Sequence, residues 1–210
     1  MYRSFTETKF LCYKACLGSG IDVGRAQDIS AGATSIGAYE NSFFGLFPAL
    51  ITAPENNLHL KKNLSSRIAQ FENVSAAQNG SFLVDCLQST LFSQIHISVL
   101  DNAMLLAGIC VHLAPELNVT LTINKNLAGR FFQNKVFADM RCLNSEKVEF
   151  VTLGISDNSE DELHELKPAY SLFIDDDTWK EIEHLAARTY VAENAESRIA
   201  GAGAGLTDND

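Results

Sequence analysis

The spacing of apolar residues changes twice along this 210-residue chain. Residues 26–36 carry alanine and isoleucine at the interval of one helix face, whereas Val119–Ile123 alternates apolar and polar residues as a half-buried strand does. Helical spacing returns at Trp179, Ile182 and Leu185. The pattern predicts an α+β fold with N-terminal helices, a central and mostly antiparallel sheet, and a C-terminal helix followed by a Gly/Ala-rich tail.

Capping residues predict where several helices begin and end. Ser4 and Glu7 have the spacing of a capping box, and the Gly-Ser-Gly sequence at 18–20 is typical of a helix end. Asp22 is expected to cap the second helix, Asp101 a later one, and Asp175 or Asp176 the final helix. These signals predict several short helices and not one long helix.

Further apolar patterns predict which side chains are buried. Two stripes with helical spacing are Phe10, Tyr13 and Leu17, and then Leu83, Leu87 and Leu91 in a helix predicted over 82–92. Val148 and Phe150 alternate with polar neighbours and predict another strand of the central sheet. Each stripe is expected to face the core.

The polar segment 53–80, rich in Asn, Ser and Gln, is the best candidate for an internal boundary. It separates a helical part, residues 1–52, from an α+β part, residues 81–210. A chain of this length is most simply one continuous domain, so the segment is expected to be a connection within it.

The net charge of −10 disfavours acidic partners. Residues 1–150 carry 12 basic and 12 acidic side chains, and residues 151–210 carry 4 and 14. Nucleic acids and anionic membranes both require clustered Lys and Arg, so neither partner is expected. The apolar runs are too short to cross a bilayer, and residues 1–14 do not resemble a signal peptide. A cytoplasmic protein is expected.

Cysteine and histidine spacing predicts neither disulfides nor a metal site. Five cysteines are an odd number at scattered positions, and Cys12 and Cys16 have no further ligands nearby. They are expected to pack as small apolar residues. His96 and His112 belong to no metal-binding spacing, although any histidine can serve as a general base. No catalytic residue or cofactor is assigned.

The Gly/Ala-rich end of the chain is the candidate ligand-binding segment. Its glycines allow backbone N–H groups to approach an anion closely, and its two arginines can bind a carboxylate or phosphate through a planar fork. The candidate ligand-binding residues are Arg188, Tyr190, Arg198, Gly201, Gly203, Gly205, Asp208 and Asp210. The competing interpretation is a solvated tail that binds nothing.

Two functions follow from these alternatives. The first is a small-molecule metabolic enzyme, in which Arg188 and Arg198 orient an anionic substrate and Tyr190 donates a hydrogen bond to it. The second is a non-catalytic accessory subunit whose tail docks into a partner, either another copy of the chain or a different protein.

Two resemblances to known families accompany these patterns. Residues 14–26, KACLGSGIDVGRA, and the ending from Leu185 resemble an uncharacterised bacterial family, and this resemblance implies no activity. Residues 5–51 are similar in layout to the opening of the NAD(P)-dependent malate/L-lactate dehydrogenase family. That family has a histidine where Phe44 stands here, so the second resemblance implies a shared helical element.

Overall fold

A computed structural model describes residues 1–54, 58–63, 67–144, 147–156 and 163–189. The described residues form an α+β fold with helices first, a central sheet and a C-terminal helix, which confirms the predicted class. The Gly/Ala-rich tail lies outside them. Among the helices of these ranges, none combines the length and the hydropathy that a membrane span requires.

The helices and strands are short. The helices are α1 (Phe5–Gly18), α2 (Val23–Gly37), a 3₁₀ helix (Asn41–Gly45), α3 (Phe47–Thr52), α4 (Ala76–Gln88), α5 (Ala103–Leu113), α6 (Met140–Leu143) and α7 (Asp176–Ala187). The strands are β1 (Tyr2–Arg3), β2 (His59–Asn63), β3 (Ile68–Glu72), β4 (Gln94–Leu100), β5 (Val119–Ile123), β6 (Asn126–Phe132), β7 (Lys135–Ala138), β8 (Val148–Ile155), β9 (Glu165–Leu166) and β10 (Leu172–Phe173).

The larger sheet has the strand order β2-β3-β4-β8-β5-β6-β7-β9. The β3–β4 pair is parallel and the other pairs are antiparallel, so the predicted mostly antiparallel sheet is confirmed. Strands β1 and β10 form a separate two-stranded ribbon. Residues 53–80 contribute β2, β3 and the start of α4, and the division of the chain at this segment stays a prediction.

One face of the sheet is apolar and packs into the core with the helices. Ile95 and Ile97 on β4, Leu121 on β5 and Leu153 on β8 are all buried. Helix α5 belongs to the same core, and every residue from 103 to 111 on it is buried. The opposite face carries the intervening polar residues, as expected for an antiparallel sheet with one solvated side.

Most of the predicted helix ends are confirmed. Ser4, Asp22 and Asp175 each accept a hydrogen bond from the backbone N–H three residues later, at 3.2, 3.0 and 2.9 Å. Gly20 follows α1 with a φ of +86°, a conformation that glycine adopts without a steric penalty. These helix ends depend on hydrogen bonds and backbone conformations of residues that are close in sequence, so the sequence predicts them.

The predicted role of Asp101 is wrong. Helix α5 is capped by Asn102, whose Oδ1 accepts the N–H of Leu105 at 2.8 Å. Asp101 Oδ1 instead accepts the N–H of Ala76, the first residue of α4, at 2.7 Å. Burial raises the pKa of Asp101. The carboxyl group therefore joins two elements that are distant in sequence and supplies the cap that Ser75 does not make.

The apolar stripe predicted for α1 is wrong at Phe10, whereas Tyr13 and Leu17 are half-buried and pack against the core. Phe10 is 58% exposed, and the fully buried apolar side chains of α1 are Cys12, Ala15 and Cys16. Small residues allow α2 and α7 to approach α1 closely. A Cβ atom on Gly18 would lie only 2.0 Å from the carbonyl oxygen of a residue on α7. The Phe10 ring is left on the outer side of α1.

Two other predicted core residues are exposed. Leu83 and Leu87 are buried as predicted, but Leu91 is 68% exposed because α4 ends at Gln88. Phe150 is also 68% exposed, although β8 forms as predicted. Its φ of +51° departs from regular strand geometry, so alternation does not predict the burial of its side chain.

Candidate functional site

A groove with a volume of about 620 Å³ lies between α1, α2 and the C-terminal end of α5. We call it the α1–α2 groove. Helix α1 contributes Phe5, Lys9, Phe10 and Tyr13, and His112 of α5 lies at the groove. The volume is within the range of small-molecule sites.

The α1 wall combines one cation with aromatic side chains. Phe5, Lys9 and Tyr13 are four residues apart and therefore follow one another along the same side of the helix. Phe10 adds an exposed ring, and the Lys14 ammonium lies 4.7 Å from the centre of that ring. This wall can bury an apolar body while Lys9 binds an anionic group.

The α2 wall is polar. Ser30 donates its hydroxyl proton to the carbonyl of Gln27 at 2.9 Å, and Thr34 donates to the carbonyl of Ser30 at 2.8 Å. Both hydroxyl protons are therefore engaged with the helix backbone, while the hydroxyl oxygens can still accept hydrogen bonds. The Asp28 carboxyl group also lines this wall.

His112 is the titratable group of the groove whose ordinary pKa is nearest to neutral pH. Burial lowers its pKa, the Lys9 charge lowers it further, and the Asp28 charge acts in the opposite direction. The imidazole is therefore neutral at pH 7, so it can donate one hydrogen bond and accept another. A neutral imidazole beside an ammonium group can also accept a proton from a bound molecule.

The N-terminal segment is positively charged within an acidic protein. Residues 1–20 contain Arg3, Lys9 and Lys14 against one acidic residue, Glu7, whereas the whole chain has a net charge of −10. This excess belongs to the segment and not to the groove, in which the Asp28 carboxylate opposes the Lys9 ammonium.

Of the ligand-binding residues predicted in the tail, the structure places Arg188. It follows α7, is exposed, and has its Cβ 3.3 Å from the position of a Cβ built on Gly18. Lys9 precedes Gly18 by nine residues on α1, so the two positions are about 13 Å apart along the helix axis. Arg188 does not line the α1–α2 groove.

The remaining predicted ligand-binding residues lie outside the described residues. They are Tyr190, Arg198, Gly201, Gly203, Gly205, Asp208 and Asp210. The tail site therefore stays a prediction, and the α1–α2 groove is a separate site that the sequence patterns did not reveal.

The buried cysteines are unsuited to nucleophilic chemistry. Burial raises the pKa of Cys16 and Cys110 to about 12 and raises that of Cys12 as well. The thiols are therefore protonated at neutral pH, whereas the thiolate is the nucleophile and the metal ligand. Their burial supports the prediction that Cys12 and Cys16 pack as small apolar residues. Within the described residues, no group of three or more His, Cys, Asp and Glu side chains is placed to hold a metal ion.

No protein-family model matches the chain, so its membership in an uncharacterised bacterial family stays a prediction. No curated protein matches it either. Among solved structures, the chain is similar to malate dehydrogenase from Entamoeba histolytica, with a TM-score of 0.42 and 10% sequence identity. The match covers 79% of this chain and 49% of that enzyme, so the chain spans about half its length. A similarity this distant assigns neither a reaction nor a ligand.

Proposed function

We propose that the protein binds a small organic anion with an apolar body in the α1–α2 groove. The observation that carries this proposal is the position of the Lys9 ammonium beside a neutral imidazole, His112, in a groove lined by aromatic rings. Concave sites with apolar walls and a few convergent polar groups are typical of small-molecule binding.

The groove supplies two kinds of interaction to such a ligand. Lys9 provides a charge-assisted hydrogen bond to a carboxylate, and His112 can donate a second one. Phe5, Phe10 and Tyr13 cover the carbon body, and burying a phenyl-sized group contributes about 2 kcal/mol. Neither interaction is strong alone, so affinity requires a molecule that uses both.

The reaction class that this site supports is proton transfer to or from the bound anion. His112 is neutral at pH 7 and can act as a general base, while Lys9 stabilises negative charge that develops on the ligand. This proposal keeps the predicted small-molecule enzyme with an anionic substrate. It places that substrate at α1 and α2, whereas the sequence patterns placed it at the tail.

A non-catalytic accessory role is the second candidate, and an exposed aromatic cluster favours it. Tyr2 and Phe173 are 73% and 46% exposed, and their rings pack edge to face at 5.5 Å on the ribbon of β1 and β10. Tyr170, close by in sequence, is fully exposed. Exposed aromatic residues are frequent at protein interfaces.

Isothermal titration calorimetry with phenylacetate tests the proposed ligand class. Phenylacetate is expected to bind the full chain with a saturable isotherm. Acetate lacks the apolar body and is expected to bind at least roughly tenfold more weakly. Benzyl alcohol keeps the ring but has no charge, so it is expected to bind more weakly than phenylacetate. Equal affinities for benzyl alcohol and phenylacetate, or no binding of phenylacetate at millimolar concentration, would contradict the proposal and favour the accessory role.

A further inference from the structure

A second cavity, distinct from the α1–α2 groove, lies on the polar face of the sheet and has a volume of about 320 Å³. We call it the sheet-face cleft. Gln70, His96 and Thr152 form a row across it, because Gln70 pairs with His96 in the β3–β4 register and His96 pairs with Thr152 in the β4–β8 register. Each of these side chains can both donate and accept hydrogen bonds.

An exposed aromatic ring lies at one side of this row. Phe150 lines the cleft, is 68% exposed and has a φ of +51°, which is a genuine outlier for a bulky side chain. The β4–β8 ladder pairs Ile97 with Val151 and Val99 with Glu149, and it lacks the intervening pair at Phe150. Burial in the core does not explain this strained conformation, and such conformations cluster at ligand-binding sites.

A lysine completes the cleft from a neighbouring hairpin. Asn124 and Lys125 form the two-residue turn between β5 and β6, with φ values of +50° and +67°. The N–H of Asn124 donates to the carbonyl of Phe150 at 3.1 Å, so the turn and the strained residue are joined. Lys125 thereby lies at the cleft with the exposed ring, in a lining that also includes Glu72.

We propose that the sheet-face cleft binds a small heteroaromatic acid, a planar ring with hydrogen-bonding edges and one carboxylate. The face of Phe150 stacks on the ring, the Gln70–His96–Thr152 row binds its edges, and Lys125 binds the carboxylate. The volume suits a single ring with its substituent. A nucleic-acid strand is disfavoured as an occupant because the chain has a net charge of −10.

The test measures orotate binding to the full chain by isothermal titration calorimetry, with uracil and benzoate as matched probes. Uracil keeps the hydrogen-bonding ring without the carboxylate, and benzoate keeps the carboxylate without the polar ring edges. Orotate is expected to bind best, and Phe150→Gly is expected to weaken it about tenfold. The melting temperature of Phe150→Gly is expected to be no lower than that of the unsubstituted protein, because glycine adopts a positive φ without strain.

Phe173→Ala is the matched control, since it removes an exposed phenylalanine from the separate two-stranded ribbon and should leave the affinity for orotate unchanged. Lys125→Met provides an independent variant and is expected to reduce the preference for orotate over uracil. The proposal is overturned if orotate does not bind, if uracil binds as tightly, or if Phe150→Gly and Lys125→Met both bind orotate normally. None of these results depends on phenylacetate binding in the α1–α2 groove.

Discussion

Gly108→Ala is expected to lower the free energy of unfolding by about 3 kcal/mol, because overpacking at this position cannot be relieved by a side chain. A Cβ at Gly108 would lie 2.1 Å from the carbonyl oxygen of Gly32 and 2.8 Å from its carbonyl carbon. Both obstacles are backbone atoms of α2. Helices α2 and α5 must therefore separate, and the core around them must repack.

Urea denaturation followed by circular dichroism measures this effect, with Gly24→Ala as the control in α2. The nearest atom to a Cβ at Gly24 is the Asp22 carboxylate oxygen at 3.5 Å, an ordinary contact. Alanine has the better helix propensity, so this control is expected to stabilise the protein by about 0.5 kcal/mol. An unchanged urea midpoint for Gly108→Ala would show that α2 and α5 do not approach as closely as described.

Lys9→Met is expected to weaken phenylacetate binding by roughly 10- to 100-fold, because hydrogen bonds to charged groups contribute about 1.5–3 kcal/mol. Methionine keeps much of the length and apolar character of the lysine stem and removes the ammonium group. Lys9 is exposed on α1, so the substitution should leave the fold unchanged. Isothermal titration calorimetry at one salt concentration measures the loss.

Lys14→Met is the matched control for Lys9. Lys14 lies on the same helix and contacts the Phe10 ring, but it does not line the α1–α2 groove. Its removal changes the net charge by the same amount and is expected to weaken binding by less than about fivefold, as for a screened surface charge. Equal losses for the two variants would mean that the anion responds to the overall charge of α1 and has no specific contact with Lys9.

The sequence predicts the features of this fold that depend on neighbouring residues. At Ser4, Asp22 and Asp175 the side chain accepts a hydrogen bond from the N–H three residues later. Serine and aspartate are preferred at this position of a helix, so the sequence identifies it. The α+β class follows from periodicity, which reports which face of an element is buried. Val119–Ile123 forms a strand with its apolar residues buried, as alternation predicts.

The candidate site depends on contacts that no local pattern contains. Lys9 and His112 are about a hundred residues apart in the sequence, and α2, which packs against both α1 and α5, brings them to one groove. Phe10 and Tyr13 have the spacing of core residues, but small residues form the close helix contacts instead. A lysine between aromatic residues on one side of a helix was the available signal, and it is weak because exposed lysines are common.

Asp101 and Phe150 are two further residues whose contacts local sequence patterns do not predict. An aspartate before an apolar helix is a typical cap, yet Asp101 bonds to Ala76 because the fold brings α4 beside it. Alternation places Phe150 in the core, yet its positive φ leaves the ring exposed. In both cases a tertiary contact or a backbone conformation overrides a correct local rule.

The pKa of His112, measured by NMR with and without saturating phenylacetate, tests whether the anion binds in the α1–α2 groove. The resonances of His112 are assigned with His112→Gln, and His164, which lines neither the α1–α2 groove nor the sheet-face cleft, serves as the internal control. Bound phenylacetate should raise the pKa of His112, because a nearby negative charge stabilises the imidazolium. Reciprocally, phenylacetate should bind more tightly as the pH falls through that pKa. A pKa of His112 that is the same in the free and the saturated protein would contradict the proposed site.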